Sequence, residues 1–263
     1  MNRIDQAFRR LKAKKQKALI AYLTVGFPTV GALPALVRSC ESAGVDVLEL
    51  GIPFSDPLAD GPTIQAASQQ ALKQGVTPAL VLRQVRRLRR MGVRVPLALM
   101  TYFNPVLHYG VGKFCRDAAA AGADGLIIPD LPPEEAGDLR RSARAAGLKT
   151  IFLASPVSPM ERLKRIAAAS TGFIYFVSLT GVTGARSSLS TDWRARCRSL
   201  RRMTDAPVCV GFGISTPAHA RQVNRFADGI IVGSALLEVI RRAGRNGPRA
   251  AGRFLGRLKE ACR

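Results

Sequence analysis

The organisation of the chain is indicated most directly by the stretch Val47-Leu-Glu-Leu-Gly-Ile-Pro-Phe-Ser-Asp-Pro-Leu-Ala-Asp-Gly-Pro-Thr-Ile-Gln65. It continues a short apolar run, residues 45–50, whose length and branched side chains are typical of a buried strand. The run ends at Gly51-Ile-Pro53, and a loop rich in proline leads to a helix that we expect to begin at Pro62. The stretch therefore contains one strand, one loop and one helix in succession.

This unit recurs along the chain. Seven further apolar runs precede segments with helical periodicity, and these runs are residues 18–24, 95–100, 125–128, 150–153, 172–177, 207–210 and 229–232. Because the runs are apolar throughout rather than alternating, the strands are expected to be covered on both faces, as in a parallel sheet. We predict one (β/α)8 TIM barrel of the α/β class, a single domain over residues 1–263, with an extra N-terminal helix over residues 3–15.

A doubly wound open sheet is the alternative architecture. The turn Val25-Gly-Phe-Pro28 after the first strand lacks the glycine fingerprint that usually marks that fold. In a TIM barrel the chemistry lies at the carboxyl ends of the strands, so the loops after each apolar run are the places to search.

Two acids after the second run could form an acid/base pair. Glu49 lies inside the apolar strand, where burial would raise its pKa and suit a residue that holds a proton near neutral pH. Asp60 lies on the following loop, where solvent and backbone donors would keep it ionised. The alternative is structural: Glu49 pairs with an arginine at the barrel rim, and Asp60 caps the helix that begins near Pro62.

Three glycine-rich turns follow the last three strands, at residues 181–184, 211–215 and 233–234. Glycines let backbone N–H groups approach an anion, and phosphate sites recur after the last strands of TIM barrels. Three such turns at consecutive strand ends favour a phosphate site over ordinary turns.

Composition excludes several other classes. No apolar stretch is long enough to span a membrane, and the N-terminus has the pattern of an amphipathic helix rather than of a secretory signal, which favours the cytoplasm. Five widely spaced cysteines and two histidines favour free thiols and give little material for a metal site.

The net charge is +22, and arginines crowd the predicted outer helices. Such a charge attracts polyanions. Aromatic residues make up only 6% of the chain, however, which gives little support for base stacking. We interpret the arginines mainly as solvated helix faces and expect nucleic acid binding to be at most non-specific.

The stretch from Leu48 to Gln65 also resembles the signature of tryptophan synthase alpha subunits. Further motifs of that family follow in the expected order along nearly the whole chain. They are Tyr22-Leu-Thr-Val-Gly26, Tyr102 with Asn104-Pro105, Pro129-Asp-Leu-Pro132, Gly181-Val-Thr-Gly184, Gly211-Phe-Gly-Ile-Ser215 and Val232-Gly-Ser234. The resemblance implies a lyase that cleaves indole-3-glycerol phosphate to indole and glyceraldehyde 3-phosphate.

The resemblance also implies roles for individual residues. Glu49 would be the general acid/base at the glycerol hydroxyl and indole C3. Asp60 would take or share the indole N–H proton and stabilise the indolenine-like intermediate, and Tyr175 would complete the catalytic group. The residues implied to contact the substrate are Tyr22, Met100, Ile128, Leu153, Thr183 and Phe212. The residues implied to bind its phosphate are Gly184, Gly211, Gly213, Gly233 and Ser234.

A partner is implied as well. Family membership would mean docking to a beta subunit that carries pyridoxal phosphate, in an alpha2-beta2 complex, with no cofactor and no metal in this chain. The predicted contacts with that partner are Asp56, Pro57, Asn104 and Pro132, all on the catalytic face. A mobile lid is implied for the loop over residues 178–189.

Overall fold

The computed structural model describes residues 1–177, 193–211 and 213–263. Its strands form one nine-stranded parallel sheet in the order β5-β4-β3-β2-β1-β9-β8-β7-β6. The strands are β1 (Ala18–Thr24), β2 (Val47–Gly51), β3 (Leu97–Met100), β4 (Gly125–Ile127), β5 (Lys149–Ile151), β6 (Leu153–Ala154), β7 (Ile174–Val177), β8 (Val208–Gly211) and β9 (Gly229–Val232). The predicted TIM barrel is confirmed.

The fifth predicted strand differs from expectation because it is divided at Phe152. Its first piece, β5, pairs with β4, and its second piece, β6, pairs with β7. The two pieces together complete the barrel wall that the sequence pattern assigned to one strand.

Helices surround this barrel. They are α1 (Arg3–Ala13), α2 (Leu33–Ser42), α3 (Pro62–Lys73), α4 (Pro78–Arg90), α5 (Phe103–Tyr109), α6 (Val111–Ala121), α7 (Gly137–Ala145), α8 (Met160–Ala169), α9 (Trp193–Met203), α10 (Pro217–Asn224), α11 (Ser234–Ala243) and α12 (Gly247–Glu260). Short 3-10 turns precede α2 and α12. Several helices begin as the sequence signals require: the hydroxyls of Thr77 and Thr216 accept the N–H groups of Leu80 and His219 at the starts of α4 and α10.

The core has two layers because successive strand residues point to opposite faces. Residues inside the barrel, such as Ile20, Val47 and Ile231, form one cluster. A larger cluster lies between the sheet and the helices. Helix α1 closes the amino-terminal end of the barrel, since its Ile4 and Leu11 belong to the inner cluster. The carboxyl ends of the strands lie at the opposite end of the barrel.

Asp124, just before β4, ties three parts of the closed end together. Its carboxylate accepts hydrogen bonds from Arg3 of α1 at 2.9 Å, from Arg89 of α4 at 2.7 Å and from the Leu97 N–H at 2.8 Å. The Asp124 side chain is only 3% exposed, so these partners satisfy a carboxylate that water cannot reach.

Replacing Asp124 by alanine is expected to lower the free energy of unfolding by about 3 kcal/mol, because the largely buried guanidinium of Arg89 loses its counter-charge. Urea titration of the two proteins measures the difference. Asp138→Ala is the control, since Asp138 and Arg141 form an exposed pair on α7 and such pairs contribute little. Equal losses of unfolding free energy in the two variants would show that the burial of Asp124 does not increase its contribution to stability.

No helix in the described parts of the chain is long and apolar enough to cross a membrane. The five cysteines are free, as the sequence predicted, and all five are buried.

Candidate active site

Glu49 lies in the middle of β2 and is 0% exposed. Neither of its carboxyl oxygens has a hydrogen-bond partner among the described residues. Burial raises its pKa to about 8, so at neutral pH the group carries a proton. The predicted alternative of an arginine pair at the rim therefore finds no support in the described residues. A buried carboxyl without a partner is costly to the fold, which points to a chemical task.

Asp60 lies on the loop between β2 and α3. The phenol of Tyr102 anchors this loop: its oxygen accepts the Ala59 N–H at 2.9 Å, and its hydroxyl donates to the Asp60 carboxylate. Gln65 donates its side-chain amide to the Asp60 carbonyl at 2.8 Å. The loop therefore presents its carboxylate from a fixed backbone.

The environment of Asp60 differs from the solvated one that we expected. Partial burial raises its pKa to about 6, against the lowering effect of the Tyr102 hydrogen bond. Asp60 remains mostly ionised at neutral pH. It does not cap α3, because Gly61 is the N-cap residue and no side chain caps this helix. Glu49 and Asp60 therefore hold opposite protonation states at one end of the barrel.

Tyr175 on β7 belongs with these carboxyls. Burial first, and then the nearby charges of Glu49 and Asp60, raise its pKa well above its ordinary value. Its ring lies over Gly211 of the neighbouring β8, where a Cβ atom would stand 2.7 Å from a ring carbon. Gly211 thus has a second role that the sequence did not reveal: it makes room for the Tyr175 ring.

Tyr22 on β1 repeats this arrangement. It pairs in register with Glu49, and its hydroxyl lies over Gly51, where a Cβ atom would collide with it. The hydroxyl of Thr24 donates to the Tyr22 oxygen at 3.3 Å. Burial is the main cause that raises the pKa of Tyr22, and the Asp60 charge is next. The two tyrosines therefore stand beside the two carboxyls.

The predicted apolar wall is brought together in part. Met100 and Leu153 are half-buried and, with Tyr175, pack against the cluster inside the barrel. Ile128 instead belongs to the cluster between the sheet and the helices, because side chains alternate along β4 and Ile127 takes the inward position. The structure does not bring Ile128 into the barrel interior.

The predicted phosphate residues lie at the ends of two paired strands. Gly211 ends β8 and pairs with Ile231 of β9, and Gly233 follows β9 as the N-cap of α11. Within the described residues no side chain caps this helix, so the first-turn N–H groups, beginning with that of Ser234, are available to an anion. Gly213 has φ +69°, a conformation that favours glycine. Thr183, Gly184 and Phe212 lie outside the described residues.

The rim of the site carries the predicted partner residues. Asp56 and Asn104 are exposed, Pro57 and Pro132 are half-exposed, and Leu58 beside them is an apolar side chain with 84% exposure. The Phe103 N–H at the start of α5 donates to both oxygens of Asp130, at 2.9 and 3.1 Å, which joins this helix to the loop after β4.

Tyr102 is the functional residue whose contact sequence reasoning missed. It lies within the motif Tyr102-x-Asn104-Pro105, but nothing in that motif indicates a bond across 42 residues to the Asp60 loop.

The sequence matches the family described as "Tryptophan synthase alpha chain" over residues 8–261. The chain belongs to this family. Tryptophan synthase alpha chains of Chloroflexus aggregans and Roseiflexus sp. (strain RS-1) are each 51% identical to it over 92% of its length, and it covers 91% and 93% of theirs.

Solved structures agree. Tryptophan synthase subunit alpha from Legionella pneumophila is 40% identical, with a TM-score of 0.92 and coverage of 100% of this chain and 98% of that one. Tryptophan synthase from M. tuberculosis in its aminoacrylate-bound form is 37% identical, with a TM-score of 0.89 and full coverage of both chains.

As a tryptophan synthase alpha chain, the protein is a carbon–carbon lyase of tryptophan biosynthesis, which cleaves indole-3-glycerol phosphate to indole and glyceraldehyde 3-phosphate. The family implies a beta-subunit partner and a phosphorylated substrate. In the part of the chain that the structure describes, no group of three or more His, Cys, Asp and Glu side chains could hold a metal ion.

Proposed function

We propose that Glu49 and Asp60 divide the acid/base work of this cleavage. Glu49, protonated when substrate binds, delivers its proton to indole C3 and then, as a carboxylate, accepts the proton of the glycerol hydroxyl. Asp60, ionised, accepts a hydrogen bond from the indole N–H and stabilises the positive charge that develops on the ring nitrogen when C3 is protonated; cleavage of the carbon–carbon bond returns its electrons to the ring and removes that charge. The observation that carries this proposal is the separation of the two pKa values, about 8 and about 6, at one end of the barrel.

The remaining residues would bind and orient the substrate. Tyr175 and Tyr22 offer rings and hydroxyls beside the carboxyls, and Met100 and Leu153 offer an apolar wall for the indole. The glycines after β8 and β9, with the start of α11, would bind the phosphate at the far end of the substrate. The roles implied for four further features stay predictions: substrate contacts by Thr183 and Phe212, phosphate binding by Gly184, and a lid over residues 178–189.

We further propose that the loops at the rim dock a beta subunit in an alpha2-beta2 complex, so that indole passes to the pyridoxal phosphate of the partner. Exposed Leu58 and the predicted contacts Asp56, Pro57, Asn104 and Pro132 support this surface. Indole release is measured with the alpha chain alone and with added beta subunit. Strong activation by the partner would support the complex, whereas full activity in isolation would favour a free-standing lyase.

The dependence of kcat/KM on pH is expected to be bell-shaped. It should rise as pH passes about 6, where Asp60 loses its proton, and fall as pH passes about 8, where Glu49 loses its own. The two apparent pKa values belong to the interacting pair. Initial rates of indole release between pH 5 and 9.5 measure the curve. A curve that rises through pH 8 would contradict the assignment of Glu49 as the acid.

The phosphate ester of the substrate also titrates near pH 6. The rise of kcat/KM on the acid side of the curve, here called the acid limb, must therefore be assigned to Asp60 or to the substrate by a separate measurement. Tyr102→Phe removes the hydrogen bond that lowers the pKa of Asp60, and it leaves the substrate phosphate unchanged. The acid limb should therefore move to higher pH in this variant if Asp60 causes it. An unmoved acid limb would assign it to the substrate.

A further inference from the structure

The outer face of α4 is made entirely of arginine. Among residues 78–90, the exposed positions are Arg83, Arg86, Arg87 and Arg90, and every other residue of the helix is at least partly buried. Their spacing places them on one helix face over about 10 Å of axis. Like charges at this spacing destabilise an isolated helix, so bound anions would stabilise α4.

Arg89 on the same helix shows what a structural arginine looks like in this protein. It is largely buried, and its guanidinium donates to the carbonyls of Gly122, Val93 and Val95 and to the carboxylate of Asp124. The four exposed arginines form no ion pair or side-chain hydrogen bond within the described residues. Packing and ion pairing therefore account for the presence of Arg89, but they do not account for the four exposed arginines of the same helix.

The positive face continues onto two adjoining helices, since α4 packs against α6 and α6 against α7. Arg116 of α6 and Arg140 and Arg144 of α7 are exposed, and in the described chain none of them forms an ion pair. Arg140 and Arg144 also line a cleft of about 700 Å³. We call the set of seven the arginine strip, and its members are Arg83, Arg86, Arg87, Arg90, Arg116, Arg140 and Arg144.

Acids near the strip are already neutralised. Asp117 accepts from Lys113 at 2.9 Å and from the Tyr109 hydroxyl at 2.8 Å, and Asp138 pairs with Arg141. On α11, by contrast, Arg241 and Arg242 share the carboxylate of Glu238. The charge of the strip is therefore free to act on a partner.

The chemistry of the strip selects the kind of partner. It contains no aromatic ring on which a base could stack and no exposed apolar side chain that could enter a membrane. The strip extends over three neighbouring outer helices, and the axes of packed helices lie about 8 to 10 Å apart. An array of this width suits the two phosphate rows of a rigid duplex better than a flexible single-stranded nucleic acid. Guanidinium groups are well suited to phosphate oxygens.

We propose that the arginine strip binds the phosphate backbone of a nucleic acid duplex without reading its bases. The catalytic carboxyls Glu49 and Asp60 lie in β2 and on the loop after it, whereas the strip lies on the exposed faces of α4, α6 and α7. The rim of the site carries exposed acids, Asp56, Asp130 and Glu135, which repel phosphates. A bound duplex therefore leaves the lyase site accessible.

A fluorescein-labelled 20-base-pair DNA of arbitrary sequence is the probe, and its anisotropy is measured at several salt concentrations. The native chain should bind at low salt, with an affinity that falls steeply as salt rises. The variant Arg83→Gln/Arg86→Gln/Arg87→Gln/Arg90→Gln should bind at least about tenfold more weakly, with a salt slope smaller by about 3. Glutamine keeps the helix propensity, so α4 should remain folded.

The matched control removes four exposed arginines elsewhere: Arg245→Gln/Arg249→Gln/Arg253→Gln/Arg257→Gln, on and just before α12. Both variants lose the same net charge, and the control should lose less than about threefold in affinity. Equal losses in the two variants would overturn the proposal, because binding would then follow net charge alone. Lyase activity and circular dichroism confirm that both variants are folded.

Three other results would also overturn the proposal. The first is no binding by the native chain at low salt. The second is tighter strip-dependent binding of a single-stranded oligomer or of anionic vesicles than of the duplex. The third is inhibition of indole release by the duplex in the α4 variant, which would place the duplex phosphates in the substrate's own phosphate site.

Discussion

Replacing Glu49 by glutamine is expected to lower kcat/KM for indole release by at least about 10³-fold, because the amide can neither give nor take the proton at indole C3. The substitution keeps the shape of the side chain inside β2, so the substrate should still bind. The residual activity should no longer decline above pH 8, since the group whose pKa is about 8 has been removed.

The same variant is expected to be more stable than the native protein. The folded-state pKa of Glu49, about 8, lies above its ordinary value of 4.5, so between these values the folded chain holds a proton that the unfolded chain has released. Stability therefore falls as pH rises through this window, and glutamine abolishes that fall. At pH 7 the gain should be about 1 to 3 kcal/mol, because the buried amide also lacks partners.

Urea titrations at pH 5.5 and pH 8 test this, since the difference between variant and native protein should grow with pH. Glu238→Gln is the matched control: Glu238 is paired with Arg241 and Arg242 at the surface, and its pKa is lowered to about 2 by those partners. It should keep full lyase activity and show no such gain. A Glu49→Gln protein that is inactive and also less stable would mean that the carboxyl supports the fold.

The sequence predicted the barrel because its physical signals were local. Apolar runs of strand length and Pro62 at a helix start act within a few residues of where they are read. Glu49 could be found for a related reason: an acid within a buried strand conflicts with its surroundings, and the conflict is visible without coordinates.

The rest depended on contacts between distant segments. Whether Ile127 or Ile128 faces the barrel interior depends on the register of β4 with β3 and β5, which periodicity in a continuous apolar run does not fix. The burial of Asp60 depends on where Tyr102 places the loop. The need for glycine at 51 and 211 comes from tyrosine rings on neighbouring strands.

Asp60→Asn is expected to lower kcat by about 10² to 10³-fold with little change in KM. The amide oxygen can still accept the Tyr102 hydrogen bond, so the loop should keep its position. What is lost is the negative charge that accepts the indole N–H hydrogen bond and stabilises the cationic ring. The expected loss of activity is smaller than that for Glu49→Gln. Asp60 stabilises charge on the ring nitrogen, whereas Glu49 transfers a proton to the carbon whose bond is broken.

Asp56→Asn provides the matched control, since Asp56 lies on the same loop and is exposed. In the isolated alpha chain it should keep kcat within about twofold, because exposed charges interact weakly with a distant reaction centre. Both variants are measured as indole release without beta subunit, and the acid limb of the pH curve should weaken only in Asp60→Asn. If both variants lost activity equally, the conformation of the loop, and not the Asp60 carboxylate, would be what the reaction requires.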